Sequence, residues 1–367
     1  MKYKLIFSGF FLVFFSCSFA QNAWTLQQCI QYSIAHNIQI VESEIQEKIA
    51  KNNLLQSQLN LLPTASTSSG YTFTYGYSLN AAFQFIPGSS QQFQLPSLST
   101  NLTLINGLQK VNTIHKSNAD LQAAGFDKQN SIQTTTLQLT NYFLQVLLNK
   151  ELLSIAQSQL DISTADLNRG KDKLKTGTMA ESELYQLETT EATNKVSLVQ
   201  AEKNLVISLL QLKISLQLPD SIAFDVVVPN ITDDMLTDIG QQNESDLYSE
   251  AVYNQPSIRS AQAKVASAIY SHKIALGTLS PTISLGYSMG TYYNNESKNF
   301  ATGDLIPFHS QITNNLQKQV AFNLSMPIFQ GWTRMNNISN TKLQRQIQEL
   351  ELNKVKNQFR QDIQQAF

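Results

Sequence analysis

Leu62-Pro63-Thr64, followed by Tyr71-Thr72-Phe73-Thr74-Tyr75-Gly76-Tyr77-Ser78-Leu79, is the stretch that decides the fold. Pro63 ends a helical pattern, because it lacks the N–H that a helix interior requires. Beyond it the hydrophobic period becomes two. Tyr71, Phe73, Tyr75, Tyr77 and Leu79 share one face, and Thr72, Thr74, Gly76 and Ser78 share the other. The same transition recurs 218 residues later at Ser280-Pro281-Thr282. There Ile283, Leu285, Tyr287 and Met289 alternate with Thr282, Ser284, Gly286 and Ser288. That offset also pairs Ala50 with Ala268 and His36-Asn37 with Asn254-Gln255. A second landmark, Asn106-Gly107-Leu108, returns as Gln330-Gly331-Trp332 at an offset of 224, which pairs Lys110 with Arg334 and Asn112 with Asn336. The six extra residues fall between the strands, where an exposed loop accepts insertion. The chain reads as two copies of one helix–strand–strand–helix unit.

Return strands are expected at 97–105, with Leu98, Leu102 and Leu104 on one face, and from Val320. In the second, Val320, Phe322, Leu324 and Met326 alternate with Ala321, Asn323 and Ser325. Pro87, Gly88, Ser89, Ser90 and Pro96 predict a loop, and a longer polar loop is expected over about 291–317. Strands with one dry and one wet face fit two architectures. In a soluble sandwich the dry face is the core; in an outer-membrane barrel it faces lipid and the wet face lines a lumen. The aromatic run and the small wet face favour the barrel.

Helix is expected over 25–61, with Thr25 as N-cap, a stripe of Leu26, Ile30 and Ile34, and a break at His36-Asn37. The pattern resumes from Ile38 with Ile45, Ile49 and Leu59. From Gly107 to about Lys175 there is no proline, and Leu137, Leu144, Leu148, Leu152, Ile155 and Ile162 predict helix–helix packing. Such a helix is on the order of 100 Å long, which suits bridging a wide aqueous gap. It stops at Lys175-Thr176-Gly177-Thr178. Gly177 suits a left-handed cap, and Thr178 with Glu181 reads as a capping box for the next helix. The return helix is expected over about 179–217, with Leu198, Leu205, Leu209 and Leu212 on one face. Residues 219–245, with Asp220, Asp225, Asp233, Asp234 and Asp238, lack the ligand spacing of an EF-hand and read as a solvated connection.

Lys2, Lys4, the apolar run Leu5–Phe15 and Ser18-Phe19-Ala20 before Gln21 form a secretory signal. Cys17 allows a second reading, lipoprotein cleavage just before it. No later segment is apolar for about 18 residues, so no transmembrane helix is expected after processing. Of the two cysteines, only Cys29 then remains, which excludes an intrachain disulfide and a cysteine-based metal site. Its place among Leu26, Ile30 and Ile34 marks it as a small buried hydrophobe. A net charge of −1 carries no basic footprint for nucleic acid. His36, His115, His272 and His309 are scattered, with no HExxH, GxSxG, Walker A or dinucleotide motif. The chain is read as no enzyme, with no catalytic residue, cofactor or metal.

Trp24-Thr25-Leu26-Gln27-Gln28-Cys29-Ile30, the strand entries Leu62-Pro63 and Ser280-Pro281, the strand exit Leu324-Ser325-Met326-Pro327-Ile328-Phe329-Gln330-Gly331 and the tip Lys175-Thr176-Gly177-Thr178 are individually weak motifs. In this order and spacing the chain resembles the TolC-type outer-membrane efflux family over its whole mature length. The Trp-Thr-Leu start and the cleavage style also resemble members from Bacteroidetes-like bacteria. The resemblance implies an α+β membrane protein and a homotrimer. Each protomer would give four strands to a twelve-stranded outer-membrane β-barrel and long antiparallel coiled-coil helices to a periplasmic α-barrel. It implies a passive conduit of a tripartite efflux or type I secretion system, in the outer membrane and extending into the periplasm. Its partners would be a periplasmic adaptor, an inner-membrane pump and outer-membrane lipid. The adaptor-docking tip would comprise Lys175, Thr176, Gly177, Thr178, Met179 and Glu181. Thr72, Thr74, Ser284 and Asn323 would face the lumen. Tyr71, Phe73, Tyr75, Leu285, Tyr287, Phe322 and Leu324 would face lipid. The chain divides into a signal peptide (1–20), a first repeat (21–218), an equatorial connection (219–245) and a second repeat (246–367). Phe367 aligns with Phe143, so the second copy is expected to lack its own tip and return helix, about 70–100 residues, where the family places its entrance carboxylates. The rival reading is a periplasmic or cell-surface coiled-coil scaffold or adhesin with a soluble β domain.

Overall fold

Helix boundaries in the computed structural model follow the breaks in the sequence; it describes residues 23–79, 85–219, 221–229 and 244–366. The expected leader, and Asp220, Asp233, Asp234 and Asp238 of the acidic connection, lie outside the described residues. After β1 (Ala23–Trp24), α1 (Leu26–His36) opens on Thr25. The Thr25 hydroxyl accepts from the Gln28 amide at 3.3 Å, and the Gln28 side chain accepts from the Thr25 amide at 2.9 Å, a reciprocal cap. Asn37 is extended, and its Oδ1 accepts from the Gln39 amide at 2.9 Å, which starts α2 (Ile38–Leu59). The elements that follow are β2 (Thr64–Leu79), β3 (Phe85–Ile105), α3 (Gln109–Lys175), α4 (Glu181–Leu216) and β4 (Asp225–Val226). Then come α5 (Glu244–Ala251), α6 (Pro256–Gly277), β5 (Thr282–Gly290), β6 (Tyr292–Asn294), α7 (Phe308–Asn314), β7 (Gln317–Ser325) and α8 (Thr333–Ala366).

The two offsets reappear in three dimensions. Helices α2 and α6 each have 22 residues, and both their ends differ by 218. The pairs Thr64↔Asn101 and Ala65↔Thr100 of one hairpin become Thr282↔Ser325 and Ile283↔Leu324 of the other when 218 and 224 are added to the respective strands. Gly107 and Gly331 both take positive φ, +62° and +56°, and so do their successors Leu108 (+59°) and Trp332 (+67°). Left-handed backbone is uncommon for a side chain of that size. Its occurrence at both equivalent positions marks the strand-to-helix turn of the repeated unit. Lys110 donates to the Asn60 carbonyl at 2.6 Å, and Arg334 donates to that of Thr278, the residue 218 further on. Each cation meets carbonyls at the C-terminal end of the preceding helix, where the macrodipole is negative.

Three expectations about the strands are corrected. Strand β3 starts at Phe85, not near 97, so the loop expected at Pro87–Pro96 is largely strand. Pro96 is accommodated because Leu95 and Pro96 together oppose Ser69, between the pairs Ser68↔Ser97 and Gly70↔Gln94; such a bulge needs no ladder N–H. The same bulge returns Phe93 to the face of Leu98. Leu104 is a second bulge residue, and Ile105 takes its place opposite Ile283. The segment 291–317 holds β6 and α7, tied down by the buried Gln311. Its side chain accepts from the Asn294 amide and donates to the Asn294 and Ile306 carbonyls.

The chain forms two compact units, 1–42 with 131–240 and 43–130 with 241–367. In the first, Cys29, Leu139, Phe143, Val146, Leu212 and Leu216 form a dry cluster, flanked by Leu218 and Val226. β1 pairs in parallel with β4, and Trp24 packs edge-on against Tyr32 and Phe224. Lys150 binds Asp225 at 2.6 Å and the Val226 carbonyl at 2.9 Å, so that carboxylate is already neutralised. The stripe read as the packing face of α3 is turned outward: Leu137, Leu144, Leu148, Leu152, Ile155 and Ile162 are all exposed. The helix has two apolar faces, and the one carrying Leu139, Phe143 and Val146 is buried within the chain. Ile34 is likewise exposed, while Leu198, Leu205, Leu209 and Leu212 are partly or fully buried.

In the second unit the sheet is an antiparallel meander, β2-β3-β5-β7, with β6 added to β3. Ile45, Ile49 and Leu59 of α2 are exposed. The only other sheet among the described residues is the β1–β4 pair, so no second layer makes this sheet a sandwich. No helix among the described residues is long and apolar enough to cross a membrane.

Candidate functional site

Directly paired residues of neighbouring strands share a face, so register assigns the faces of the sheet. Leu102, Leu285 and Phe322 form one rung; Thr100, Tyr287 and Val320 form the next on the same side. Tyr71, Phe73 and Tyr75 belong to this side by the pleat of β2, and Leu324 by its pairing with Ile283. All seven residues expected on the lipid side therefore lie on one face. Tyr71 and Phe73 meet edge-on with centroids 4.7 Å apart, and Phe73 stacks over Tyr75 at 6.4 Å. Tyr71 donates its hydroxyl proton to Gln91 at 2.6 Å. Tyr75 is 76% exposed, and Leu324 and Phe322 are also exposed. Leu285 and Tyr287 are half-buried because β5 has a neighbour on both sides.

The opposite face carries the residues expected at the lumen. Thr103, Ser284 and Asn323 form one rung, and Thr72 and Thr74 lie on the same side of β2. Hydroxyls pair across the strands: Ser66 with Ser99 at 2.9 Å and Ser68 with Ser97 at 3.1 Å. Cross-strand hydroxyl pairs hold a polar face without a charge.

The helical hairpin tip is built by backbone hydrogen bonds. Gly177 has φ +72°; its amide donates to the Leu174 carbonyl at 3.0 Å, and the Thr178 amide donates to Lys173 at 2.9 Å. This Schellman closure requires the left-handed residue expected at Gly177. The capping box expected at Thr178 and Glu181 is absent. The N-cap of α4 is Ala180, with no side-chain hydrogen bond, and α4 begins at Glu181 rather than 179. The Thr178 hydroxyl instead donates back to the Lys173 carbonyl at 3.1 Å and touches Thr176. It lies two residues before the cap position, Ala180, too far to serve as the cap of α4. Glu181 lies in the first turn, favourable to the dipole. Lys175 pairs with Asp172 at 3.0 Å, both well exposed, which contributes little. Sequence reading missed Gly170. A Cβ there would lie 2.6 Å from Leu187 Cδ1 and 3.4 Å from Met179 Sδ, so this glycine lets α3 and α4 approach below the tip.

No cluster of three or more His, Cys, Asp or Glu that could hold a metal occurs among the described residues. No protein-family model matches the sequence, and no curated protein matches it. Solved structures do match. The outer membrane protein VceC of Vibrio cholerae superposes with a TM-score of 0.76 at 11% identity, over 91% of this chain and 75% of its own. The outer membrane channel CmeC of Campylobacter jejuni gives 0.75 at 17%, over 90% and 67%. CusC, whose structures concern folding and transmembrane channel formation, gives 0.74 at 14%, over 93% and 72%. The fold is the one that these solved outer-membrane proteins have. The α+β class with long helices, expected from the sequence, is the class observed.

Proposed function

We propose that the chain is the protomer of a passive outer-membrane conduit that extends into the periplasm. In this reading it assembles as a homotrimer and receives cargo from an inner-membrane pump through a periplasmic adaptor. The observation that carries the reading is the sheet. Among the described residues, its aromatic and aliphatic face has no protein layer over it, its other face is small, polar and uncharged, and both its edge strands are open. Water is a poor solvent for the first face and lipid for the second. A closed ring of such sheets satisfies both. A scaffold with a soluble β domain would bury Tyr71, Phe73 and Phe322, and they are exposed.

The neutral lining suits a pipe that passes many solutes, with selectivity supplied by the pump. The conduit does no chemistry on its cargo. Residues 175–181 at the tip dock the adaptor. The natural full-length protein, purified in detergent and added to planar bilayers, should give ohmic, weakly selective conductance steps. A water-soluble protein without detergent and without conductance would overturn the proposal.

A further inference from the structure

The polar face of the described sheet carries no charged side chain, but its helical end does. A cleft of about 500 Å³ opens there. Thr64, Asn101 and Thr103 of the polar face line it, with Asn60, Gln109 and Lys110 of the helical side. Lys110 therefore borders the wet side of the sheet, and it donates to the Asn60 carbonyl at 2.6 Å. Its repeat counterpart Arg334 makes the same bond to Thr278, the counterpart of Asn60, and a second to the Gln330 side chain at 3.0 Å. The repeat thus sets both cations on one side of the sheet, one at each strand-to-helix turn.

Capping a helix does not use up this charge. The end of α2 supplies about half a negative elementary charge and the start of α3 about half a positive one, so the helix ends cancel where Lys110 joins them. The same holds where Arg334 joins α6 and α8. Carboxylates do not remove the remainder. The turns nearest the sheet, residues 51–63, 107–120, 268–281 and 331–344, hold Lys51, Lys110, Lys116, Lys273, Arg334 and Lys342 against Asp120 alone. Asp120 is taken by Lys116 at 2.6 Å. The next carboxylates along α2 and α3, Glu47 and Asp127, are paired with Lys128 and Lys264, each at 2.9 Å. The junction also holds its geometry. Gln109 Nε2 donates to the Asn106 carbonyl at 2.9 Å and to the Gly277 carbonyl at 3.1 Å, and a Cβ on Gly107 would collide with the Gly277 oxygen. At Gly331, the counterpart of Gly107, a Cβ would meet nothing within 4 Å, so Arg334 sits at the more open turn.

We propose that Lys110 and Arg334 form a cationic collar where the polar sheet face meets the helices, and that the conduit therefore passes anionic solutes, those bearing carboxylate, sulfonate or phosphate groups, in preference to cations. The collar rests on the channel reading above. Fixed cations beside a permeation path raise the local concentration of anions and lower that of cations. The sheet lining itself is neutral, so the collar sets the sign of the preference without closing the pipe to other solutes. At about 0.1 M salt the field of each cation reaches about 10 Å, and at about 1 M only about 3 Å, so the preference fades as salt rises.

Reversal potentials in planar bilayers test the collar, with the natural full-length protein in a KCl gradient around about 0.1 M. Chloride should permeate in preference to potassium, and about 1 M salt should erase the difference. Lys110→Gln together with Arg334→Gln should lower the chloride-to-potassium permeability ratio at least about twofold at low salt. Lys110→Arg with Arg334→Lys keeps both charges and should keep the parent ratio. Asn101→Asp places a negative charge on the same cleft wall and leaves both cations in place. It should lower the ratio as well, which keeps the test open if the double glutamine variant does not fold. A parent that prefers potassium, or a ratio that neither change lowers, overturns the collar and leaves the channel reading standing. An equal fall in the charge-keeping variant assigns the two residues to shape rather than charge and also overturns it. A parent without conductance removes the reading on which the collar rests.

Discussion

Phe143 and Phe322 are the same residue in two settings. Phe143 is 1% exposed, packed with Leu139, Leu212 and Cys29; Phe322 is 72% exposed on a sheet face that no part of the described chain covers. One belongs to a core that the chain completes by itself. The other belongs to a face that the described chain leaves open. Apolar periodicity alone marks both as buried. The contrast shows that this chain has two kinds of apolar surface, and that only one of them is packed against the described residues.

The contrast is broken most directly at the core. Phe143→Ala should cost about 3–5 kcal/mol, the range for emptying a packed aromatic site, in chemical unfolding of the detergent-solubilised protein. Phe322→Ala should cost under about 1 kcal/mol in the same measurement, because its ring loses few neighbours within the chain. Equal losses would mean that the sheet face is covered by protein.

The two faces of the sheet give the next largest effect. Leu285→Arg should cost about 2–4 kcal/mol of membrane insertion near mid-bilayer. Ser284→Arg, one residue away on the polar side, should insert nearly as well as the parent in the same assay. The opposite order would exchange the lipid and lumen faces.

At the hairpin tip, Gly177→Val should destabilise the turn by about 1–2 kcal/mol, since an L-residue is strained at positive φ. Gly177→Asn should be far milder, because space around the site is open and Asn tolerates this conformation. Faster hydrogen exchange at the Gly177 and Thr178 amides in the valine variant only would confirm it.

A further effect is electrostatic. Burial pushes the Cys29 thiol up from 9.0 to about 11, with its own backbone hydrogen bond working weakly the other way. The folded state thus keeps this proton to higher pH than the unfolded chain. Its contribution is complete below pH 9 and is lost as pH rises from 9 towards about 11. Urea midpoints should therefore fall more between pH 8 and 10.5 for the parent than for Cys29→Ala, and iodoacetamide should label Cys29 slowly at pH 8.

Much of this architecture was legible in the residues. Pro63 and Pro281 located the strand entries, His36-Asn37 the helix break, and Gly177 the hairpin tip, because each acts through its own backbone chemistry. The offsets 218 and 224 survived into the strand register for the same reason: a repeat carries its turns with it. Pro96 and Leu104 misled, since a proline or an extra leucine in a strand is absorbed by a bulge whose existence depends on the partner strand. Thr178 misled because it can bond forward or backward, and the closure of α3 decides which. The outward stripe Leu137–Ile162 was legible as apolar and illegible as to its partner.

The sequence by itself determined the duplication, the strand entries after Pro63 and Pro281, the helix break at His36-Asn37 and the hairpin tip at Gly177, because these follow from local backbone preference and side-chain period. Tertiary structure alone decided which apolar face became a core, where the bulges fell, and that Gly107 and Gly277 touch while Gly331 has open space. Those outcomes depend on distances between residues far apart in the chain, which no local rule encodes.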